Sequence, residues 1–382
     1  MKFSKKIVAA LLAIVMIFAL ASCSGGDNKD DKIKLTAENI KIGVLHITSK
    51  DDTSGYTAAH QAGIVGMMKE LGIKDEQVVI KDNINDSDTA ATKTALQELV
   101  DAECDVIFAT SFNYMSSVEE FAEKNPEIIF SHCSGYLSND TNFNNYFGRI
   151  YEARYLAGIA AGLKAKELGN PVLGFVAAQD STNSEVTGGI NAFALGAQSV
   201  YPEAEVKVKV TGSWYNPDEE GKAAQALIDA GCCVIGQHCD SDVTQTTIAA
   251  ANKAGTQVYG CGYNSDMTPA APTTHITAPI WNWQVYYTQA VKTVIDGKWA
   301  DFGNYYEGMK VDLVDVSPIN KDAAAEGTQA AIDEAKAAIK DGSLIVFDKG
   351  IEKADGTVLG AALTDKEITG EITWYVKGVS VL

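Results

Sequence analysis

Aromatic, amide and carboxylate side chains recur in this chain at one kind of place, just after short apolar runs. Tyr56 and His60 follow the run Lys41 to His46. Phe112 and Asn113 follow Asp105 to Ala109. Trp214 lies in Gly212-Ser213-Trp214-Tyr215-Asn216, after Glu205 to Val210. Asp240 comes after Cys233 to Gly236, with Gln237 and His238 between. Asp266 follows Gln257 to Tyr259, and Trp281 and Trp283 stand further on. Flat rings with polar edges suit capture of a planar heterocycle. Stacking on an aromatic side chain is worth about 1–3 kcal/mol per base. A few placed polar groups then fix its orientation.

Residues for catalysis are not gathered in the same way. The first apolar run leads into Thr48-Ser49-Lys50-Asp51, not into the Gly-x-Gly-x-x-Gly turn of a dinucleotide site. Neither a Walker A loop nor a Gly-x-Ser-x-Gly elbow occurs. The five histidines (His46, His60, His132, His238, His275) lie in no metal motif, and Cys239 beside His238 lacks a second ligand pair. The expectation is a binding protein, not an enzyme, with no cofactor and no metal. A net charge of −19 argues against nucleic acid and against anionic lipid as partners of the protein body.

The start of the chain carries a different chemistry. Lys2, Lys5 and Lys6 precede an uncharged apolar stretch from Ile7 to Leu20, the pattern of a secretory signal. Leu20-Ala21-Ser22-Cys23 resembles a bacterial lipobox, which makes Cys23 the expected lipidation site. Acyl chains hold a protein to a membrane at about 0.8 kcal/mol per buried methylene. Residues 24–39 are polar and charged and read as a flexible tether. Of the seven cysteines, the six beyond Cys23 are an even number that permits disulfides outside the cell, but Cys104 and the Cys232-Cys233 pair stand just before short apolar runs, and buried free thiols are the favoured expectation.

The elements that position these residues alternate strand and helix from Ile40 onward. Helical spacing of Ile64, Met67, Met68 and Leu71 predicts a helix over 55–71. The order of strand and helix runs to about Phe130 and restarts with a long helix at Tyr151, rich in Ala and Gly. Repeated β–α–β order predicts parallel sheets covered by helices. The fold class expected is therefore α/β, two doubly wound Rossmann-like lobes joined by a hinge. Residues 40–147 with about 277–303 form one lobe in this reading, and 148–276 with about 304–382 the other. Helices are expected at 281–296 and 323–340, with short strands near 310–316, 344–347 and 373–376. Ligands of such sheets bind beyond the carboxyl ends of the strands, where the aromatic and polar residues lie.

Four segments together resemble the basic membrane protein family of ABC-transporter substrate-binding lipoproteins. They are the loop with Asp52 and Tyr56, the run Gly148 to Gly158, Gly212 to Pro217, and Ser265-Asp266. The resemblance implies a type I periplasmic-binding-protein fold, a small-molecule ligand and a membrane permease as partner. It also implies a monomer held to the membrane only by lipid. Family members bind purine nucleosides, with two aromatics sandwiching the base; Tyr56 and Trp214 fall at those positions and Asp266 at a ribose-holding one. Trp281 stands near where the family has a ribose-holding Lys. The segments Gly55 to His60, Gln237 to Asp240 and Trp281 to Tyr287 resemble a branch associated with a free purine base such as adenine. An adenine-like base is the ligand this implies, with a purine nucleoside, or a sensor without transport, as alternatives.

Overall fold

The computed structural model describes residues 34–382. The signal segment, the tether up to residue 33 and the expected lipidation site Cys23 lie outside the described residues.

Two six-stranded sheets form the frame, and every strand pair within them is parallel. In the first, Ile42–Leu45 (β1), Val78–Lys81 (β2), Val106–Ala109 (β3), Ile129–Cys133 (β4) and Phe143–Gly148 (β5) lie in the order 5-4-3-1-2. The helices Gly55–Leu71 (α1), Thr89–Asp101 (α2) and Met115–Lys124 (α3) alternate with them. All four residues of β1 and of β3 are buried, as sheets covered on both faces require. Leu96, Leu99, Ile107, Val118 and Phe130 pack between this sheet and its helices.

Ile150–Leu168 (α4) leads into the second sheet. Its central strands are Val172–Ala177 (β6), Glu205–Val210 (β7), Val234–Gln237 (β8) and Tyr259–Cys261 (β9), with His275–Thr277 (β10) at one edge. Ser184–Val200 (α5), Pro217–Asp229 (α6) and Val243–Lys253 (α7) cover it. Local chemistry marks the starts of these helices. Asn183 accepts from Val186 N at 3.0 Å, and Asn216 accepts from Glu219 N at 3.2 Å ahead of Pro217. The small residues of α4 let α5 approach closely: a Cβ on Gly158 would stand 2.1 Å from Phe193 O.

The remaining segments depart from the sequence reading. Phe143–Gly148 is a strand where none is expected; its Asn144-Asn145 pair is poor strand material. Tertiary contacts offset that, since Asn144 Nδ2 donates to Gly303 O at 2.9 Å. The helix expected from 281 begins later, as Trp283–Ile295 (α8), because Pro279–Trp281 (β11) pairs antiparallel with Val314–Val316 (β13). Tyr305–Glu307 (β12) extends the first sheet beside β5, past the expected crossing at about 303. The helix expected from 323 is Thr328–Asp341 (α9). Segments 344–347 and 373–376 are not strands; Val379–Val381 (β14) takes the edge beside β7 instead. A short helix, Asp365–Gly370 (α10), precedes it. Cys104, Cys133, Cys232, Cys233, Cys239 and Cys261 are buried free thiols.

Candidate functional site

The carboxyl ends of both sheets open onto one cavity that connects to solvent. From the first sheet come Ile47 after β1, Asp86 after β2, Ser111 and Phe112 after β3, and Ser134 after β4. Phe147 of β5 and Tyr56 of α1 complete that wall. The facing wall carries Glu185 in the first turn of α5, Trp214 after β7, His238 and Asp240 after β8, and Tyr263 after β9. Six of these side chains are aromatic rings, counting His238. The cavity continues into a wider vestibule, open to solvent, that shares Phe112, Ser134, Phe147, Glu185 and Trp214 with it.

Neighbouring groups fix several of these rings. Tyr56 meets His60 edge-on at 4.5 Å between centroids. The Trp214 loop is fixed by Thr211 Oγ1 donating to Ser213 O at 3.0 Å and by Asp240 N donating to Trp214 O at 2.9 Å. His238 lies 5.6 Å from the Trp214 ring and 5.1 Å from that of Tyr263. Phe147 rests against Trp281 at 4.9 Å.

Two contacts close the walls on each other. Gly55 N donates to Ser265 Oγ at 2.8 Å, across 210 positions of sequence. Gly55 has φ +84°, and a Cβ there would meet Asp240 O at 2.4 Å. Glycine is needed at this spot both for the left-handed backbone and for the close approach.

Charge in the cavity is unevenly satisfied. Asp86 accepts from Ser111 Oγ at 2.6 Å and from Asn113 Nδ2 at 3.1 Å. His238 Nε2 lies 3.3 Å from Glu185 Oε1. Burial, and then the Arg154 charge, lower the His238 pKa to about 4, so the ring is neutral at pH 7. Asp240 accepts from Asn264 Nδ2 at 2.8 Å through Oδ1. Its Oδ2 takes no hydrogen bond among the described residues. Desolvation pushes this carboxyl well above the usual carboxylate range, with Glu220 and Glu185 adding to the effect.

Of the residues singled out in the sequence, Tyr56, Phe112, Trp214 and Asp240 come together here. The structure places the others elsewhere. His60 is fully buried, stacked on Trp283 at 4.6 Å, with Nδ1 2.7 Å from Tyr287 OH. Trp283 stacks in turn on Trp281 at 4.3 Å, so these rings form a column behind the wall. Asn113 holds Asp86 rather than lining the cavity. Asp266 is exposed and accepts from Thr268 N at 3.0 Å, a local turn contact. The sequence reading omits Asp86, Ser134, Phe147 and Glu185. Phe147 lies on the unexpected strand, and the Asn183 cap two residues earlier is the signal that could have placed Glu185 at a helix start. Among the described residues no cluster of His, Cys, Asp or Glu is arranged to hold a metal ion. Among them, too, no helix is long and apolar enough to cross a membrane.

Comparison with known proteins gives this geometry a context. Residues 40–347 match the family described as ABC transporter substrate-binding protein PnrA-like. A purine-binding protein of Brucella abortus (strain 2308) is 34% identical over 345 residues, which cover 90% of this chain and 93% of that one. A putative ABC transporter glucose-binding protein of Haloferax volcanii is 37% identical over 222 residues, covering 58% of this chain and 54% of that one. In fold, the chain is similar to a solute-binding protein of an ABC transporter system from Aeropyrum pernix K1. That match has TM-score 0.67 and 17% identity, and covers 88% of this chain and all of the other. The architecture is the two-lobed type I periplasmic-binding-protein fold. By its sequence, the chain belongs to the PnrA-like family of ABC transporter substrate-binding proteins.

Proposed function

We propose that this chain is a receptor for a purine base, adenine-like, which it captures between Tyr56 and Trp214 and delivers to a permease. Members of its family act outside the cytoplasm, bind small molecules and work with a membrane permease. The observation that carries the ligand reading is the cavity itself: rings on both walls, with carboxylates between them. Aromatic faces supply stacking, and carboxylate oxygens accept from ring N–H and amino groups. The name of the Brucella relative, a purine-binding protein, points the same way. Membrane attachment through lipid on Cys23 belongs to this reading and rests on Leu20 to Cys23; partition of the full chain into detergent, lost in Cys23→Ser, tests it.

A purine nucleoside is the second reading. It is favoured by the vestibule that adjoins the cavity and shares Phe112 and Trp214 with it, where a sugar would find room. A sensor with the same ligand but no permease is the third, distinguished by whether uptake of the ligand depends on the chain.

Thermal melting of residues 35–382, prepared free of ligand, separates these. Adenine, guanine, hypoxanthine, adenosine, inosine, riboflavin and glucose make the panel. Ligand at a hundred times its Kd stabilises by about 2.7 kcal/mol. A shift with adenine and none with adenosine is expected. A shift with nucleosides alone moves the assignment to the second reading, and no purine response sinks both.

A further inference from the structure

Two carboxylates line the cavity from opposite walls, Asp86 after β2 and Glu185 in the first turn of α5. The protein uses neither of them fully. Ser111 Oγ at 2.6 Å and Asn113 Nδ2 at 3.1 Å both donate to Oδ2 of Asp86, and its Oδ1 takes no hydrogen bond among the described residues. Oε1 of Glu185 lies 3.3 Å from His238 Nε2, and its Oε2 likewise takes none. Among the described residues no Lys or Arg forms an ion pair with either acid. His238 is neutral at pH 7 and brings no charge; it is 1% exposed, lines the cavity, and has an Nδ1 without a partner. Asp240 stands apart from the two acids, because burial drives its carboxyl toward the neutral form. Cations lie further off. Arg154 of α4 is buried, does not line the cavity, and donates to Gln237 O at 2.9 Å. Lys366 lines the outer vestibule and is exposed to solvent. Acceptor oxygens left open in a partly buried cavity are costly unless a bound molecule brings donors to them.

We propose that Asp86 and Glu185 are the specificity-determining residues of this site: they select a heterocycle that presents amino or ring N–H donors to the walls and carries no negative charge. The proposal rests on the reading that the cavity takes a purine, and it says which purines. The amino group of adenine gives a charge-assisted hydrogen bond to an open carboxylate oxygen. The oxo group of hypoxanthine sets an acceptor against that acceptor and leaves the oxygen unpaired. A site built to bond a polar group of its ligand rejects an analogue that lacks it far more strongly than an apolar pocket rejects a difference in size. Urate, an anion at neutral pH, meets like charge on both walls. The phosphate of a nucleotide does the same at Glu185, which lines the vestibule as well as the cavity. Asp86 and Glu185 come from different sheets, so a ligand that satisfies both bridges the two walls.

Calorimetry of residues 35–382 at pH 7.5, prepared free of ligand, tests this with matched purines. Wild-type protein is expected to bind adenine at least about tenfold more tightly than hypoxanthine, and to give no heat with urate. Asp86→Asn and Glu185→Gln keep the side-chain shape while they remove the charge and turn one acceptor into a donor. In the double variant the ratio of adenine to hypoxanthine affinity is expected to fall at least about tenfold, with adenine weakened and hypoxanthine unchanged or strengthened. Equal binding of adenine and hypoxanthine by the wild type overturns the proposal and leaves the purine reading standing. So does tight binding of urate. A ratio that stays the same in the double variant, including an equal loss for both purines, overturns the role of these two residues. A cooperative melt of the ligand-free double variant checks that it folds; if it does not, the same ratio in the two single variants decides. If nucleosides alone bind, adenosine and inosine form the matched pair. Wild-type protein that binds none of these purines overturns the purine reading and the proposal together.

Discussion

At the scale of single residues, the site rests on aromatic rings fixed by contacts with their neighbours. Trp214 is half-buried, its loop pinned by Thr211 and Asp240, and its indole is left to the cavity. Trp214→Ala is expected to weaken adenine binding by more than about 1 kcal/mol, read by calorimetry, with little change in melting of the ligand-free protein. Unchanged affinity would remove Trp214 from the site. Trp283 and His60 look similar in sequence, yet they serve the core. Their rings stack 10° from parallel, and neither reaches the cavity. A Trp in a strand-end segment reads the same whether it faces ligand or another ring, so the sequence could not separate the two uses.

At the scale of elements, close helix contact is the feature most sensitive to change. α4 and α5 approach so nearly that glycine is required on both. A Cβ on Gly196 would lie 2.0 Å from Tyr155 O, and one on Gly158 2.1 Å from Phe193 O. Those obstacles are backbone atoms, which cannot swing away. Gly158→Ala and Gly196→Ala are each expected to cost about 2–3 kcal/mol or more through overpacking. Gly188 lies on the same α5, but its nearest neighbour is Ile372 Cδ1 at 3.7 Å. Gly188→Ala is expected to be neutral or to stabilise by up to about 1 kcal/mol, the ordinary helix preference for Ala. Urea unfolding of the three variants checks the contrast; equal effects would mean that helix propensity and not contact governs these positions. The small-residue run of α4 was legible in the sequence, while its partner face on α5 was not.

At the scale of the whole molecule, the walls meet through Gly55. Its N–H donates to Ser265, and the Asp240 carbonyl stands where a Cβ on Gly55 would be. Binding that favours this closed arrangement draws the equilibrium toward it. Gly55→Ala carries a methyl group into the contact and a side chain into the left-handed region, which costs about 1–2 kcal/mol. The variant is expected to bind adenine at least about tenfold more weakly and to keep a larger radius of gyration in saturating ligand, measured by small-angle scattering. A variant that binds and compacts like the wild type would show that this contact does not govern closure.

The sequence by itself determined the α/β class, the two rounds of strand and helix, and the positions of most elements. Burial on both faces of a parallel sheet writes itself locally, as apolar runs such as Ile42 to Leu45 between helical repeats. It also marked the strand ends as the place where a site would form. Only the tertiary structure decided which strand-end residues converge. Phe147 and Glu185 joined the cavity through a polar strand and a helix start that carry no ligand signal of their own. Asp266 and Trp283 left it because contacts with Thr268, Trp281 and His60 claimed them first. Local pattern tells a chain which face to bury. Which buried ring meets which other depends on distances between residues hundreds of positions apart, and those exist only in the folded molecule.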